Sequence, residues 1–288
     1  MTWVLSAFAD EAGPSTDEQI AALQRAGIKH IDPRGVDGHN ISALPLDVAE
    51  AAQKKLIAAG IKVNMFGSPI GKIDLSDDVQ IDLDKLTHLA KLSKIFDCNQ
   101  VRIFSYYNKQ ELPADRWQNE SISRLLKLRD LADELGMVLY HENESGIFGS
   151  RLENIQVINE KVRDGKTFKL IFDFDNYNRD GDDVLANWDA LKDVTDCFHL
   201  KDSDENAQHV PAGQGAGQVK PILADAVKSG WTGPAILEPH LRHSKAVIAT
   251  GVHGQENQAF ADLSAADVFQ KAAEAAVSVF DEVGAKWQ

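Results

Sequence analysis

Four apolar runs in the second half of the chain each end on a polar group able to ligate a cation or move a proton. VLYHENE carries His141, Glu142, Asn143 and Glu144, and LIFDFDN carries Asp173, Asp175 and Asn176. CFHLKD carries His199, Lys201 and Asp202, and AILEPHL carries Glu238 and His240. Read in order, Glu142, Asp173, His199 and Glu238 are carboxylate, carboxylate, imidazole, carboxylate. Three like charges share a pocket cheaply only when a cation neutralises them. A hard, oxygen-rich set without thiolate suits one divalent ion, Mn²⁺ first, with Mg²⁺, Co²⁺ or Zn²⁺ as alternatives, rather than a structural zinc. Taken singly, each acid at a strand end also reads as a solvated loop residue or a helix cap, and Asp173 and Asp175 serve equally well as caps.

Strand parity adds neighbours, because a residue two past an inward one points to the same side. Lys201 follows His199 in this way, and His240 follows Glu238. Lys201 is a candidate for a substrate hydroxyl or an oxyanion, or for a salt bridge with Asp202 or a neighbouring carboxylate. His240 is a candidate substrate contact and proton carrier, or a rim histidine. Arg102 lies inside an apolar strand run, where an unpaired charge is costly. It either binds substrate, orients Glu142 or sits in a buried ion pair. His209 precedes Gly213, Gly215 and Gly217. Glycine-rich turns can offer N–H groups to a phosphate, but this one lacks GK[ST] and follows no strand directly. It reads as a tight loop, and no phosphorylated substrate is expected.

The elements that must position these groups alternate along the chain. Strand-like runs are Val4–Ala9, His30–Arg34, Lys62–Phe66, Gln100–Phe104, Val138–Glu142, Phe168–Asp173, Asp196–His199 and Pro234–Glu238. Between them stand helical patterns such as Leu83, Leu86, Leu89, Ala90, Ser93, Phe96 and Ile122, Leu125, Leu126, Leu128, Ala132, Leu135. Gly27, Gly60, Gly136 and Gly230 each sit where a helix stops before a strand. Eight such units in 288 residues predict a (β/α)8 TIM barrel, one domain over residues 1–288. A doubly wound open sheet would place a glycine-rich turn after the first strand, and ADEAGPSTDEQ has none. Pro33 removes a ladder donor, so the second strand is expected to be short or irregular.

Composition narrows the classes. The chain is 43% hydrophobic and 26% charged with mean hydropathy −0.28, ordinary for a folded protein. Thirty basic residues against 44 acidic ones leave a net charge of −14, which opposes nucleic-acid binding. No window is apolar enough for a membrane helix. MTWVLSAFADEAG lacks a basic start and reads as a buried strand rather than a signal peptide. Cys98 and Cys197 show no motif spacing and read as small buried side chains, so the expected compartment is the cytoplasm. The segment Arg242–Leu263 is a candidate lid or homo-oligomer contact.

At these residues the sequence resembles the xylose isomerase-like TIM-barrel superfamily, often labelled sugar phosphate isomerase/epimerase, over nearly the whole chain. HENESGIFG resembles the family's fifth-strand motif, FDFDN its Asp followed three residues later by Asn or His, and FHLKD its HxKD motif. VPAGQGAG with LEPHL resembles its last unit. The resemblance implies metal ligands Glu142, Asp173, His199 and Glu238, choosing Asp173 over Asp175 with Asn176 behind it. It also implies that Glu142 and Glu238 act as an acid/base pair on opposite faces of a sugar. SAFADE, GSPIGK and VRIFSYY are similar to a narrower subgroup, which implies Lys72 as a substrate clamp. That subgroup often reads an acidic residue, Leu and Arg where this chain has Asp32, Pro33 and Arg34.

The expected function is therefore a metal-dependent sugar isomerase or epimerase, with a small-molecule sugar as partner. It would abstract a proton beside a carbonyl to give a metal-stabilised enediolate. The alternatives are a lyase expelling the aglycone of a 3-oxo-glycoside, or a keto-inositol dehydratase. An endonuclease IV-like nuclease would need more histidines, and a sugar-binding module would not need two glutamates beside a metal.

Overall fold

Each of the eight apolar runs becomes one strand of a single parallel sheet. In the computed structural model, which describes residues 2–242, 248 and 257–288, these are β1 (Val4–Ala7), β2 (His30–Ile31), β3 (Lys62–Val63) and β4 (Gln100–Ile103). They continue as β5 (Val138–Glu142), β6 (Phe168–Asp173), β7 (Thr195–Leu200) and β8 (Pro234–Leu237). The hydrogen-bonded order is β3-β2-β1-β8-β7-β6-β5-β4. The two ends of that order meet at Phe66, which bridges Val101 in parallel sense. Phe66 N–H donates to Gln100 O and Arg102 N–H donates to Phe66 O, both at 2.9 Å, so the sheet curls into a barrel.

The helices α1 (Thr16–Ala26), α2 (Leu46–Ala59), α3 (Gln80–Phe96), α4 (Ala114–Leu135) and α5 (Leu152–Lys161) follow strands one to five. The short α6 (Phe174–Arg179) and α7 (Val184–Leu191) follow β6, α8 (Val219–Ser229) follows β7, and α9 (Ala265–Val283) follows β8. α1 shows why they start and stop where they do. Ser15 and Glu18 form a capping box, and Gly27 ends the helix at φ 71°, a left-handed turn that glycine adopts without Cβ strain. Along α4, Ile122, Leu125, Leu128 and Ala132 are buried, which turns one face of the helix to the barrel.

The second and third strands are shorter than their apolar runs. β2 ends at Ile31, before Pro33, and the chain then forms a small hairpin of Gly35–Val36 against His39–Asn40. A second hairpin joins Asp202–Ser203 to His209–Val210. Cys98 and Cys197 are both buried and unbridged. No helix among the described residues is long and apolar enough to cross a membrane. Most of Arg242–Leu263, expected to be a lid or oligomer contact, lies outside the described residues.

The barrel interior explains the height of the polar groups. Phe8, Met65, Tyr140, Ile171, Cys197 and Ile236 form their own buried cluster, separate from the larger core beneath the helices. Tyr140, Ile171, Cys197 and Ile236 stand two residues before Glu142, Asp173, His199 and Glu238. Strand alternation therefore places the four polar side chains on top of an apolar floor, facing the same axis.

A register shift between Leu170 and Ile171 completes the alignment. It sets Asp173 opposite His199, where the register begun by Leu170 and Thr195 would have set it opposite Phe198. The Leu170 N–H donates to Asp196 Oδ2 at 3.0 Å, which keeps that amide satisfied beside the irregularity.

Candidate metal centre and active site

Glu142, Asp173, His199 and Glu238 each offer one ligand atom to a common point, and the four atoms lie within 4.8 Å of one another. His199 Nδ1 is 3.0 Å from Glu142 Oε1, 3.2 Å from Glu238 Oε2 and 3.9 Å from Asp173 Oδ2. His199 Nδ1, Asp173 Oδ2 and Glu238 Oε2 are buried and have no hydrogen-bond partner. Donors about 2.1 Å from a shared ion stand roughly 3 to 3.5 Å apart, so the arrangement fits a coordination shell better than a hydrogen-bond network.

Asp173 caps a helix with one oxygen and leaves the other available as a ligand. Its Oδ1 accepts from Asn176 N–H at 2.8 Å and caps α6, which turns Oδ2 to the centre. Asp175 faces elsewhere, pairing with Arg179 at 2.7 Å and lying 3.4 Å from His209 Nε2. Asn143 stitches two ligand strands together: its side chain accepts from Asp173 N–H at 2.8 Å and donates to Asp173 O at 3.1 Å. Arg179 donates to Asn176 Oδ1 at 2.6 Å, which leaves the Asn176 amide N–H₂ to face Glu142 Oε1 at 3.5 Å.

The other expected site residues gather around this quartet. Lys201 Nζ is 3.1 Å from Asp173 Oδ2 and 3.8 Å from Glu238 Oε2, so its ion pair is with a neighbouring carboxylate of the quartet. Arg102 Nη1 is 3.3 Å from Glu142 Oε2 and 3.5 Å from Glu238 Oε1. Its guanidinium lies between the rings of Phe8 and Phe104, 4.7 and 4.9 Å from their centroids. His240 Nε2 is 3.3 Å from Glu238 Oε1. Lys72 pairs with Glu144 at 2.9 Å and lies 4.4 Å above the Phe104 ring. GSPIGK can carry Lys72 there because its glycines allow close packing. A Cβ on Gly67 would come 2.5 Å from the Phe8 ring, and one on Gly71 would come 2.2 Å from Phe104 O.

Sequence reasoning passed over Asp10, Glu11 and Arg34 as site residues. Arg34 donates to both oxygens of Asp10 at 3.0 and 2.9 Å and to Glu238 Oε1 at 3.0 Å. Glu11 Oε2 accepts from the His240 N–H at 2.9 Å. The signal was available, since SAFADE and IDPR also end strand runs in charge, as do the four motifs of the second half.

The glycine loop is not open for phosphate. Asp202 accepts from the N–H groups of Gly213, Gly215 and Gly217, each at 2.9 Å. A Cβ at Gly215 would come 2.4 Å from Asp202 Oδ1, so the glycines permit this close approach. The backbone donors that an anion would use already hold a carboxylate of the same chain.

The electrostatics describe a pocket short of positive charge. Burial drives the Asp173 carboxyl well above its usual range although Lys201 pulls the other way, and burial pushes Glu11 up to about 8 against Arg34. Burial lowers His199, but Glu142 and Glu238 more than offset it and raise it to about 9, so the imidazole holds a proton where a cation would otherwise sit. Burial opposes ionisation of Glu142, yet His199 and Arg102 hold it down at about 2. The donor set, its orphaned atoms and this charge deficit together fit one divalent cation.

Comparison with known proteins gives the same architecture. The family model of the xylose isomerase-like TIM barrel matches residues 20–263. No curated protein matches the chain in sequence. Among solved structures, D-psicose 3-epimerase with D-tagatose from Clostridium cellulolyticum H10 superposes with TM-score 0.73 at 15% identity, covering 98% of this chain and 99% of that one. The probable 3-DHS dehydratase AsbF from Bacillus anthracis gives 0.71 at 16% identity, covering 96% and 99%. IOLI protein with a binding zinc atom gives 0.70 at 16% identity, covering 97% and 98%. At these identities the likeness is one of fold.

Proposed function

The chain belongs to the xylose isomerase-like TIM-barrel family, and from that premise we propose that it is a divalent-metal-dependent sugar isomerase or epimerase. The observation that carries this reading is the buried quartet of Glu142, Asp173, His199 and Glu238, whose four ligand atoms converge within 4.8 Å. A cation held there, Mn²⁺ in this proposal, supplies Lewis acidity to the carbonyl oxygen beside the C–H bond that breaks.

The chain's own groups do the rest. Glu142 ends β5 and Glu238 directly follows β8, with β6 and β7 between them, and the two serve as the pair that takes and returns the proton. Lys201, paired with Asp173 at 3.1 Å, and Arg102, seated between two aromatic rings, place positive charge where an oxyanion develops. Lys72 and His240 orient the sugar from the rim. The substrate is a free sugar or sugar derivative without phosphate, because Asp202 takes the N–H groups of the glycine loop. The unbridged cysteines accord with placement in the cytoplasm.

A second reading is a lyase acting on 3-oxo-glycosides. Its support is that the segments SAFADE and GSPIGK, whose subgroup resemblance points toward 3-oxo-sugar chemistry, meet with Arg34 around the quartet through Asp10, Glu11 and Lys72. Both reactions start with the same deprotonation.

Proton NMR in D₂O separates them. Mn²⁺-loaded protein is incubated with free ketoses and with 3-oxo-glucosides, beside an EDTA-treated control. Metal-dependent deuterium uptake or a new epimer from a ketose supports the isomerase. Aglycone release with the ketoses untouched replaces it with the lyase. Silence in both panels rejects the two together.

A further inference from the structure

The two oxygens of Glu238 face different neighbours. Oε2 lies 3.2 Å from His199 Nδ1 and 3.8 Å from Lys201 Nζ. Oε1 lies 3.0 Å from Arg34 Nη1, 3.3 Å from His240 Nε2 and 3.5 Å from Arg102 Nη1. Arg34 is itself anchored. Its Nε and Nη2 donate to the two oxygens of Asp10 at 3.0 and 2.9 Å, and its guanidinium lies 4.8 Å from the Phe8 centroid. Gly35 leaves room for that anchor, since a Cβ there would come 3.1 Å from Asp10 Oδ2. Arg34, Asp10 and Glu238 are all buried.

Glu11, Glu238 and His240 also converge within 4.8 Å, a second group with ligand chemistry. The Arg34 guanidinium is 3.0 Å from Glu238 Oε1 and 3.4 Å from Glu11 Oε1, so the cation this group holds is the chain's own.

Resting on the metal reading above, we infer that the Asp10–Arg34 fork is a positioning device that divides the Glu238 carboxylate. The fork keeps Oε1, and Oε2 alone is left to face the cation. Carboxylates bind divalent ions through one oxygen or two, and a second oxygen with no other partner is free to close onto the ion. A planar guanidinium fixed on two sides prevents that closure, which an ammonium on a flexible stem does not. Single-oxygen ligation keeps one coordination position open for substrate.

The test uses the full chain loaded with Mn²⁺. Water-proton relaxation counts exchangeable waters on the bound ion, and electron paramagnetic resonance of free Mn²⁺ gives the affinity. Arg34→Lys keeps the charge and loses the fork. Asp10→Asn keeps Arg34 and loosens its anchor. His240 at 3.3 Å and Arg102 at 3.5 Å remain as longer contacts to Oε1, so both variants are expected to lose a fraction of a coordinated water, up to about one, and to bind Mn²⁺ more tightly. Unchanged hydration in both variants, with melting profiles like the unaltered protein, overturns the inference. Failure of the unaltered protein to bind Mn²⁺ rejects the metal reading itself, and the inference with it.

Discussion

Two buried carboxylate centres meet in one short motif, and they are built in opposite ways. In FHLKD, His199 and Lys201 face the quartet, while Asp202 serves the glycine loop. At Asp202 the partners are backbone N–H groups of Gly213, Gly215 and Gly217, fixed at 2.9 Å. At the quartet Asp173 Oδ2, Glu142 Oε2 and Glu238 Oε2 have no hydrogen-bond partner. A carboxylate whose lone pairs are all answered by its own chain is holding structure together. Buried carboxylates that meet only the side-chain charges of Lys201, Arg102 and His199, with no backbone donor aimed at them, keep their inner oxygens turned to a common point that a cation can occupy.

The largest effects should come from reversing these roles. Glu142→Gln and Asp173→Asn should weaken Mn²⁺ binding by roughly 100-fold or more and cut turnover by on the order of 1,000-fold. Without metal, Asp173→Asn should melt no lower than the unaltered protein, because burial already disfavours its charged form, whereas Glu142→Gln should melt lower, because Arg102 and His199 lose the charge they hold. Mn²⁺ titration beside thermal melting checks both halves, and a large fall in the melting temperature of Asp173→Asn would break the distinction between the two centres.

Asp202→Ala should do the opposite. It leaves three N–H groups without their acceptor and should cost about 3 kcal/mol in urea unfolding, with Mn²⁺ stoichiometry unchanged. Loss of metal at intact stability would show that Asp202 belongs to the centre after all.

The dependence of stability on pH sharpens the comparison further. The folded-state pKa of His199 is raised from 6.5 to about 9 by Glu142 and Glu238 against burial. Its stabilisation is thus full below 6.5 and lost as pH rises through 9. Burial raises Glu11 from 4.5 to about 8 and Asp32 from 3.8 to about 7, and these contributions are likewise lost on going alkaline. Glu142, held near 2, loses its contribution only in acid, outside this window. The metal-free protein should therefore melt progressively lower from pH 6 to 9. The Mn²⁺-loaded protein should show a flatter profile, because the ion replaces the His199 proton. Parallel profiles with and without Mn²⁺ would detach the quartet from metal binding.

The smallest effect is expected at the rim. Lys72→Met removes the partner of Glu144 and should weaken substrate binding by about ten-fold while leaving Mn²⁺ affinity unchanged. Isothermal titration with the substrate that the NMR panel identifies measures it.

Much of this was legible in the order of residues. Apolar runs ending in Glu142, Asp173, His199 and Glu238 identify strands, and strand parity gives the side on which their polar ends fall. Helix stops such as Gly27 show in sequence because a left-handed cap suits glycine by local sterics alone. Other features were not legible. Pro33 announces that β2 is short, but not the hairpin of Gly35–Val36 against His39–Asn40 into which the chain then turns. Asp10, Glu11 and Arg34 also end strand runs, but their partner is a glutamate more than 200 positions away, so what they hold shows only in the folded chain.

What the sequence by itself determined is therefore local. It set the alternation of strand and helix, the parity of each strand end and the types of group those ends present, because these follow from backbone sterics and side-chain period. What only the tertiary structure decided is how those groups are apportioned. The register shift after Leu170 sets Asp173 opposite His199, and Asp173 gives one oxygen to a cap and the other to the centre. Barrel closure brings Arg34 to Glu238, and Asp202 takes the glycine loop. Such assignments rest on distances between residues far apart in the chain, and those distances exist only once eight strands share one axis.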